Sequence, residues 1–147
     1  MKLCSACLLG IRCRYDDKSK PNEKILALAK NEVLIPVCPE QLGGQATPRL
    51  DAEIKEGDGY DVLDKKAVVI ESDGNDVTDF FVKGAGEVLK IAQTFGIKEA
   101  ILTRRSPSCG SGRIYDGTFS RTLINGDGVT TALLKRNDIK VISEEEL

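Results

Sequence analysis

The chain has 147 residues, 41% of them hydrophobic and 30% charged, with a formal net charge of −2. One domain over residues 1–147 is expected, because a chain of this size can bury roughly 70% of its unfolded surface without covalent staples. Apolar runs far below the ~20 residues of a membrane span, a start at Met1 with no charged-then-apolar leader and a weak net charge that attracts neither nucleic acid nor anionic membrane together predict a cytoplasmic protein.

Lys2 to Ala6 reads as a short first strand, and Asn22 to Lys30 as a helix behind an Asn cap, with Ile25, Leu26, Leu28 and Ala29 clustered on one face. Val33 to Val37 is a continuous apolar run, which suits a parallel strand buried on both faces. Residues 43 to 60 carry Gly, Pro and charges without periodicity and read as a long loop of functional length. Ala67 to Glu71 is a third strand, followed by a turn at Asp73-Gly74-Asn75. A helix capped by Asp76 or Thr78 then runs through Phe95 to a Gly96 stop. Ala100 to Thr103 is the fourth strand; a loop from Arg104 to Asn125, a short helix from Gly128 to Arg136 and a strand from Ile139 to Ser143 complete the chain. This alternation predicts a Rossmann-like α/β fold with a mostly parallel sheet flanked by helices.

There is no histidine. Zinc sites of the Cys/His kind, Ser-His-Asp triads and Cys-His nucleophile pairs are excluded together. The five cysteines are an odd count, and a reducing compartment favours metal or thiol chemistry over disulfides. Cys7 follows the first strand, Cys38 the second and Cys109 the strand at Ala100 to Thr103, and ligands of open α/β sheets bind outside the carboxyl ends of the strands. The three thiols are therefore expected to meet. Each is followed within a few residues by Gly, which lets backbone approach a ligand. Without histidine, such a set suits either zinc with a fourth cysteine or an iron–sulfur cluster held by three thiolates. The plainer alternative is three small buried hydrophobes. Cys4 lies inside the first strand and belongs to the core; Cys13 can serve as fourth ligand, resolving thiol or spare.

The blocks "SACLLG", "CRYD", "CPEQLGGQATPR", "DVTDFFVKGA", "SPSCG", "IYDG" and "GDGVTTALL" occur in this order. Together they resemble the single-domain TudS family of thiouracil desulfidases, from Ser5 to about Glu144. The resemblance implies a [4Fe-4S] cluster ligated by Cys7, Cys38 and Cys109 with one iron left open, and removal of sulfur from a thiolated pyrimidine without net redox change. It further implies a catalytic Glu40 and a substrate-contacting Ser106. Two other readings stand beside it: a desulfidase acting on thiolated uridine in tRNA, suggested by the arginine-bearing loops, and a structural zinc module with Cys13 as fourth ligand. Arg49 is expected to lock a neighbouring loop or contact a substrate carbonyl, and the Gly110 to Gly112 amides to orient substrate or cluster. Nothing in the pattern specifies an oligomeric state.

Overall fold

A computed structural model describes residues 1–147. The first half contains β1 (Lys2–Ser5), α1 (Glu23–Leu28), β2 (Leu34–Val37), α2 (Pro39–Leu42), β3 (Ala52–Lys55), α3 (Gly59–Leu63) and β4 (Val68–Glu71). The second contains α4 (Thr78–Phe95), β5 (Glu99–Leu102), β6 (Arg113–Tyr115), β7 (Leu123–Asn125), α5 (Val129–Arg136) and β8 (Lys140–Ser143). Four strands form a sheet in the order β2-β1-β5-β8, with every pairing parallel.

Successive side chains of a strand point to opposite faces, and both faces here are covered. Leu3, Leu102 and Val141 pack with Val88 and Ala92 of α4 and Leu134 of α5 on one side. Cys4 and Ile101 pack with Leu8 and Ile25 on the other. This two-sided burial is why the strands read as unbroken apolar runs. Pro36, which has no N–H for a ladder, falls in β2 at the sheet edge, where that omission is tolerated.

Helix boundaries follow local chemistry. The Asn22 side chain accepts from the N–H groups of Lys24 and Ile25 and starts α1. Gly96, at φ 65°, ends α4 in the left-handed region. The start of α4 differs from expectation: Val77 holds the cap position, Asp76 accepts from the Thr78 N–H, and the Thr78 hydroxyl accepts from Val69 N–H of β4.

The run at Ala67 to Glu71 does not join the main sheet. Its strand, β4, pairs antiparallel with β3 in a separate hairpin, Ile54 opposite Val69. Residues 43 to 60 are thus not one loop, since they hold β3 and the start of α3. The "AEIK" of β3 has no apolar run to announce it, yet Ile54 is buried in a second cluster with Val69, Phe81 and Ile114. The long loop after β5 likewise contains a hairpin, β6 with β7. Both hairpins stand over the carboxyl edge of the sheet and wall a cavity there.

Candidate active site

Parallel pairing sends the carboxyl ends of β2, β1 and β5, three adjacent strands, to one edge. Cys38 directly follows β2 as the residue capping α2; Cys7 lies in the 3-10 turn Ala6–Leu9 that follows β1; Cys109 lies in the loop after β5. All three line one cavity of about 480 Å³, together with Cys13, Glu40 and Ser106. That volume falls in the ~300–1,000 Å³ range of small-molecule sites. All five cysteines are free thiols. Cys4 is fully buried in the sheet, and burial pushes its thiol up to about 12.

Cys13 is central to the thiol group. The Cys38 thiol donates to its backbone carbonyl at 3.6 Å, and the nearby Cys38 and Cys7 thiols, with burial, push the Cys13 pKa up. The neighbouring Cys13 thiol pulls Cys7 and Cys38 down against the opposing effect of burial. Cys109 is pushed up, chiefly because it is sealed from solvent. Ionisation is thus easier at Cys7 and Cys38 than at the buried Cys109.

Glu40 stands in the first turn of α2, two residues after Cys38, and its Oε2 lies 3.6 Å from the Cys38 Sγ and 3.9 Å from Arg49. Arg49 pins the neighbouring Cys13 loop, as expected: its guanidinium donates to the Cys13 carbonyl at 3.0 Å, and within its own loop to the Thr47 hydroxyl at 3.1 Å. Ser106 Oγ accepts from the N–H groups of Ser108 and Cys109, each at 3.1 Å, so it builds the Cys109 turn while its own proton stays free to donate. The turn is clamped on α5. Val129 and Thr130 donate N–H groups to the Pro107 and Ser108 carbonyls, and the Thr131 hydroxyl donates to the Cys109 carbonyl at 2.8 Å. Of the amides expected to face a ligand, Gly110 is spent on the Ser106 carbonyl and Gly112 on Asp127.

Residues 3–146 match the 2-thiouracil desulfurase family. The chain belongs to that family. YbbK of Bacillus subtilis (strain 168), an uncharacterized protein, is 48% identical over 147 residues, spanning 100% of this chain and 97% of its own length. A solved structure of TudS, a [4Fe-4S]-dependent thiouracil desulfidase, is 42% identical and superposes with a TM-score of 0.87, covering 99% of this chain and 91% of that one.

In this member of the desulfurase family, the opposite cavity wall was invisible to sequence reasoning. Glu53 of β3 is 4% exposed, lines the cavity, and accepts from the N–H groups of Gly117 and Phe119 in the β6–β7 turn. Tyr15 and Tyr115, in the turn-like "YD" and "YDG" segments, line the cavity. Their neighbours serve the loops: Asp16 pairs with Arg14, and Asp116 caps the turn through Thr118. Asp127 of the "GDG" block is the other hidden group. It gathers Lys135 at 3.0 Å, the Tyr60 hydroxyl at 3.1 Å and the Gly112 N–H at 2.8 Å, tying α3, α5 and the loop beyond Cys109 together. The only sequence signal for it was an acidic residue between glycines just ahead of a helix.

Proposed function

We propose that this protein catalyses the hydrolytic desulfuration of free thiouracil, thiouracil plus water giving uracil plus hydrogen sulfide, with a [4Fe-4S] cluster held by Cys7, Cys38 and Cys109. The observation that carries this reading is the convergence of three free thiols, from three adjacent parallel strands, on one cavity that also contains the Glu40 carboxylate. The donor set fits the group. All ligands are sulfur, as iron–sulfur clusters require, and no histidine competes. No three Cys, Asp or Glu side chains crowd closely enough to hold a single ion. In a cluster each thiolate meets a different iron, so the three thiols need not crowd around a single ion.

When bound, the cluster supplies a Lewis-acidic iron without a cysteine ligand, soft enough to accept a thiocarbonyl sulfur. Everything else falls to the chain. Glu40, shielded in the cavity wall, takes the proton of the attacking water and returns it to the leaving sulfur, a task that general acid–base catalysis makes worth roughly 10²–10⁴-fold. Arg49, 3.9 Å away, keeps that carboxylate beside Cys38. Ser106 donates its free hydroxyl proton to the pyrimidine edge. Thiolated uridine in tRNA is the less favoured substrate, because a net charge of −2 gives little purchase on many phosphates. Five free thiols suit the reducing cytoplasm.

Protein reconstituted with iron and sulfide under anaerobic conditions is expected to convert thiouracil to uracil with stoichiometric sulfide release. Cluster-loaded protein that leaves both 2-thiouracil and 4-thiouracil unchanged overturns the proposal. Stoichiometric zinc in anaerobically purified protein, without acid-labile sulfide, would favour the structural module instead.

A further inference from the structure

We propose that the second carboxylate oxygen of Glu53 accepts the N3–H of the thiolated pyrimidine, making Glu53 a specificity-determining residue; the substrate class rests on the function proposed above. Burying a carboxylate is costly unless its oxygens find donors. Glu53 is 4% exposed, yet no Lys or Arg pairs with it. Both of its hydrogen bonds, from Gly117 N–H at 3.0 Å and Phe119 N–H at 3.2 Å, go to Oε1. Oε2 has no partner. Nor is it sealed in the protein: the sealed, unpartnered side-chain oxygens are those of Gln45 and Glu144. Glu53 lines the cavity, so the oxygen left over opens onto that space.

Anchoring the 117–119 turn needs one acceptor oxygen, which glutamine would supply as well. A carboxylate there provides a second acceptor that no protein donor occupies, and an ionised carboxylate can only accept. The donor is therefore a ligand's. In thiouracil, N3 lies between C2 and C4, so its N–H adjoins the thiocarbonyl whether sulfur sits at position 2 or 4. An acceptor at this point holds the neutral thione, whose carbon water attacks, and repels the anion that has lost that proton. The role is separate from that of Glu40, which handles the water. The same carboxylate holds Phe119, whose residue also lines the cavity, so the reading group and an aromatic wall are fixed as one unit.

The test is Glu53→Gln in anaerobically reconstituted protein. The amide oxygen keeps the Gly117 and Phe119 bonds, while the second oxygen becomes an NH₂ donor facing N3–H. Iron content and thermal midpoint are expected to match wild type. With 2-thiouracil and 4-thiouracil, kcat/KM is expected to fall roughly 10- to 100-fold, the scale of a lost hydrogen bond to a charged group. With the N3-methyl derivatives the substitution is expected to change it less than about threefold, since no N3–H remains to lose. Equal losses on both substrate sets, or no loss, overturn the assignment.

Equilibrium binding of uracil against 3-methyluracil reads the contact without turnover. Wild type is expected to favour uracil by about tenfold or more, and Glu53→Gln to abolish the preference. A wild-type protein with that preference but no turnover retires the desulfidation reading and leaves the Glu53 contact standing. A wild type without the preference overturns the contact, whatever its activity.

Discussion

Gly84 of α4 lies against the carbonyl of Pro39 in α2, so close that a Cβ at position 84 would run into that oxygen. The contact is reciprocal, because a Cβ at Gly43 would meet the Phe80 carbonyl of α4. Pro39 stands between Cys38 and Glu40, so this backbone contact sets where a proposed ligand and the proposed acid–base group sit. Gly84→Ala is expected to push α2 off α4, costing about 1–3 kcal/mol in urea unfolding and lowering iron bound per chain. Gly86→Ala, where a Cβ meets nothing within 4 Å, is the control. It is expected to retain full iron and gain about 0.5–1 kcal/mol, because glycine is a poor helix-interior residue.

The cysteines separate into three classes. Alanine at Cys7, Cys38 or Cys109 is expected to abolish stable cluster binding, measured as iron, acid-labile sulfide and visible absorption. Cys13→Ala is expected to retain the cluster, since the proposed ligands are Cys7, Cys38 and Cys109 and Cys13 is their neighbour in the cavity wall. Cys4→Ala is expected to leave the cluster intact and cost about 1–2 kcal/mol, as removal of a small buried group does. A cluster that survives Cys109→Ala removes the ligand assignment.

The parts of this molecule legible in the sequence are those whose chemistry is local or periodic. Continuous apolar runs marked β1, β2, β5 and β8 because both faces of that sheet are buried. Counting residues beyond each run was enough to bring Cys7, Cys38 and Cys109 to one edge. The α1 cap at Asn22 and the α4 stop at Gly96 were equally local. The two hairpins were not. β3 is four residues with Ile54 as its large apolar side chain, and β6 and β7 have three residues each, too short for a period to show. The functions of Glu53 and Asp127 depend on partners 64 and 15 residues away, and no pattern of spacing reveals such pairings.

Asp127 is expected to govern the order of the loop beyond Cys109. Its side chain is 11% exposed and holds Lys135, Tyr60 and the Gly112 N–H. Asp127→Ala strands all three and is expected to cost about 1–3 kcal/mol, the scale of leaving part-buried donors without their acceptor. Asp127→Asn keeps an acceptor for Gly112 and should cost less. Hydrogen exchange at Gly112 is expected to quicken strongly in the alanine variant and little in the asparagine variant. Similar exchange in both would mean that the amide bond is not what orders this loop.

The α4 terminus predicts a defined response to acid. The Thr78 hydroxyl and N–H both bond the Asp76 carboxylate and hold its pKa below the ordinary 3.8. A depressed folded-state pKa means that the stabilisation is complete above the unfolded value and is lost as pH falls through the folded one. Wild type is therefore expected to exceed Asp76→Ala in stability by about 0.5–1.5 kcal/mol at neutral pH, the usual net worth of a hydrogen bond. That gap should narrow once the pH drops below 3.8. Asp76→Asn retains a neutral acceptor, so its stability relative to Asp76→Ala should stay nearly flat with pH. Urea unfolding of the three proteins from about pH 7 to about pH 3 measures both differences. A wild-type gap that stays constant across that range would show that the Asp76 charge contributes nothing to the start of α4.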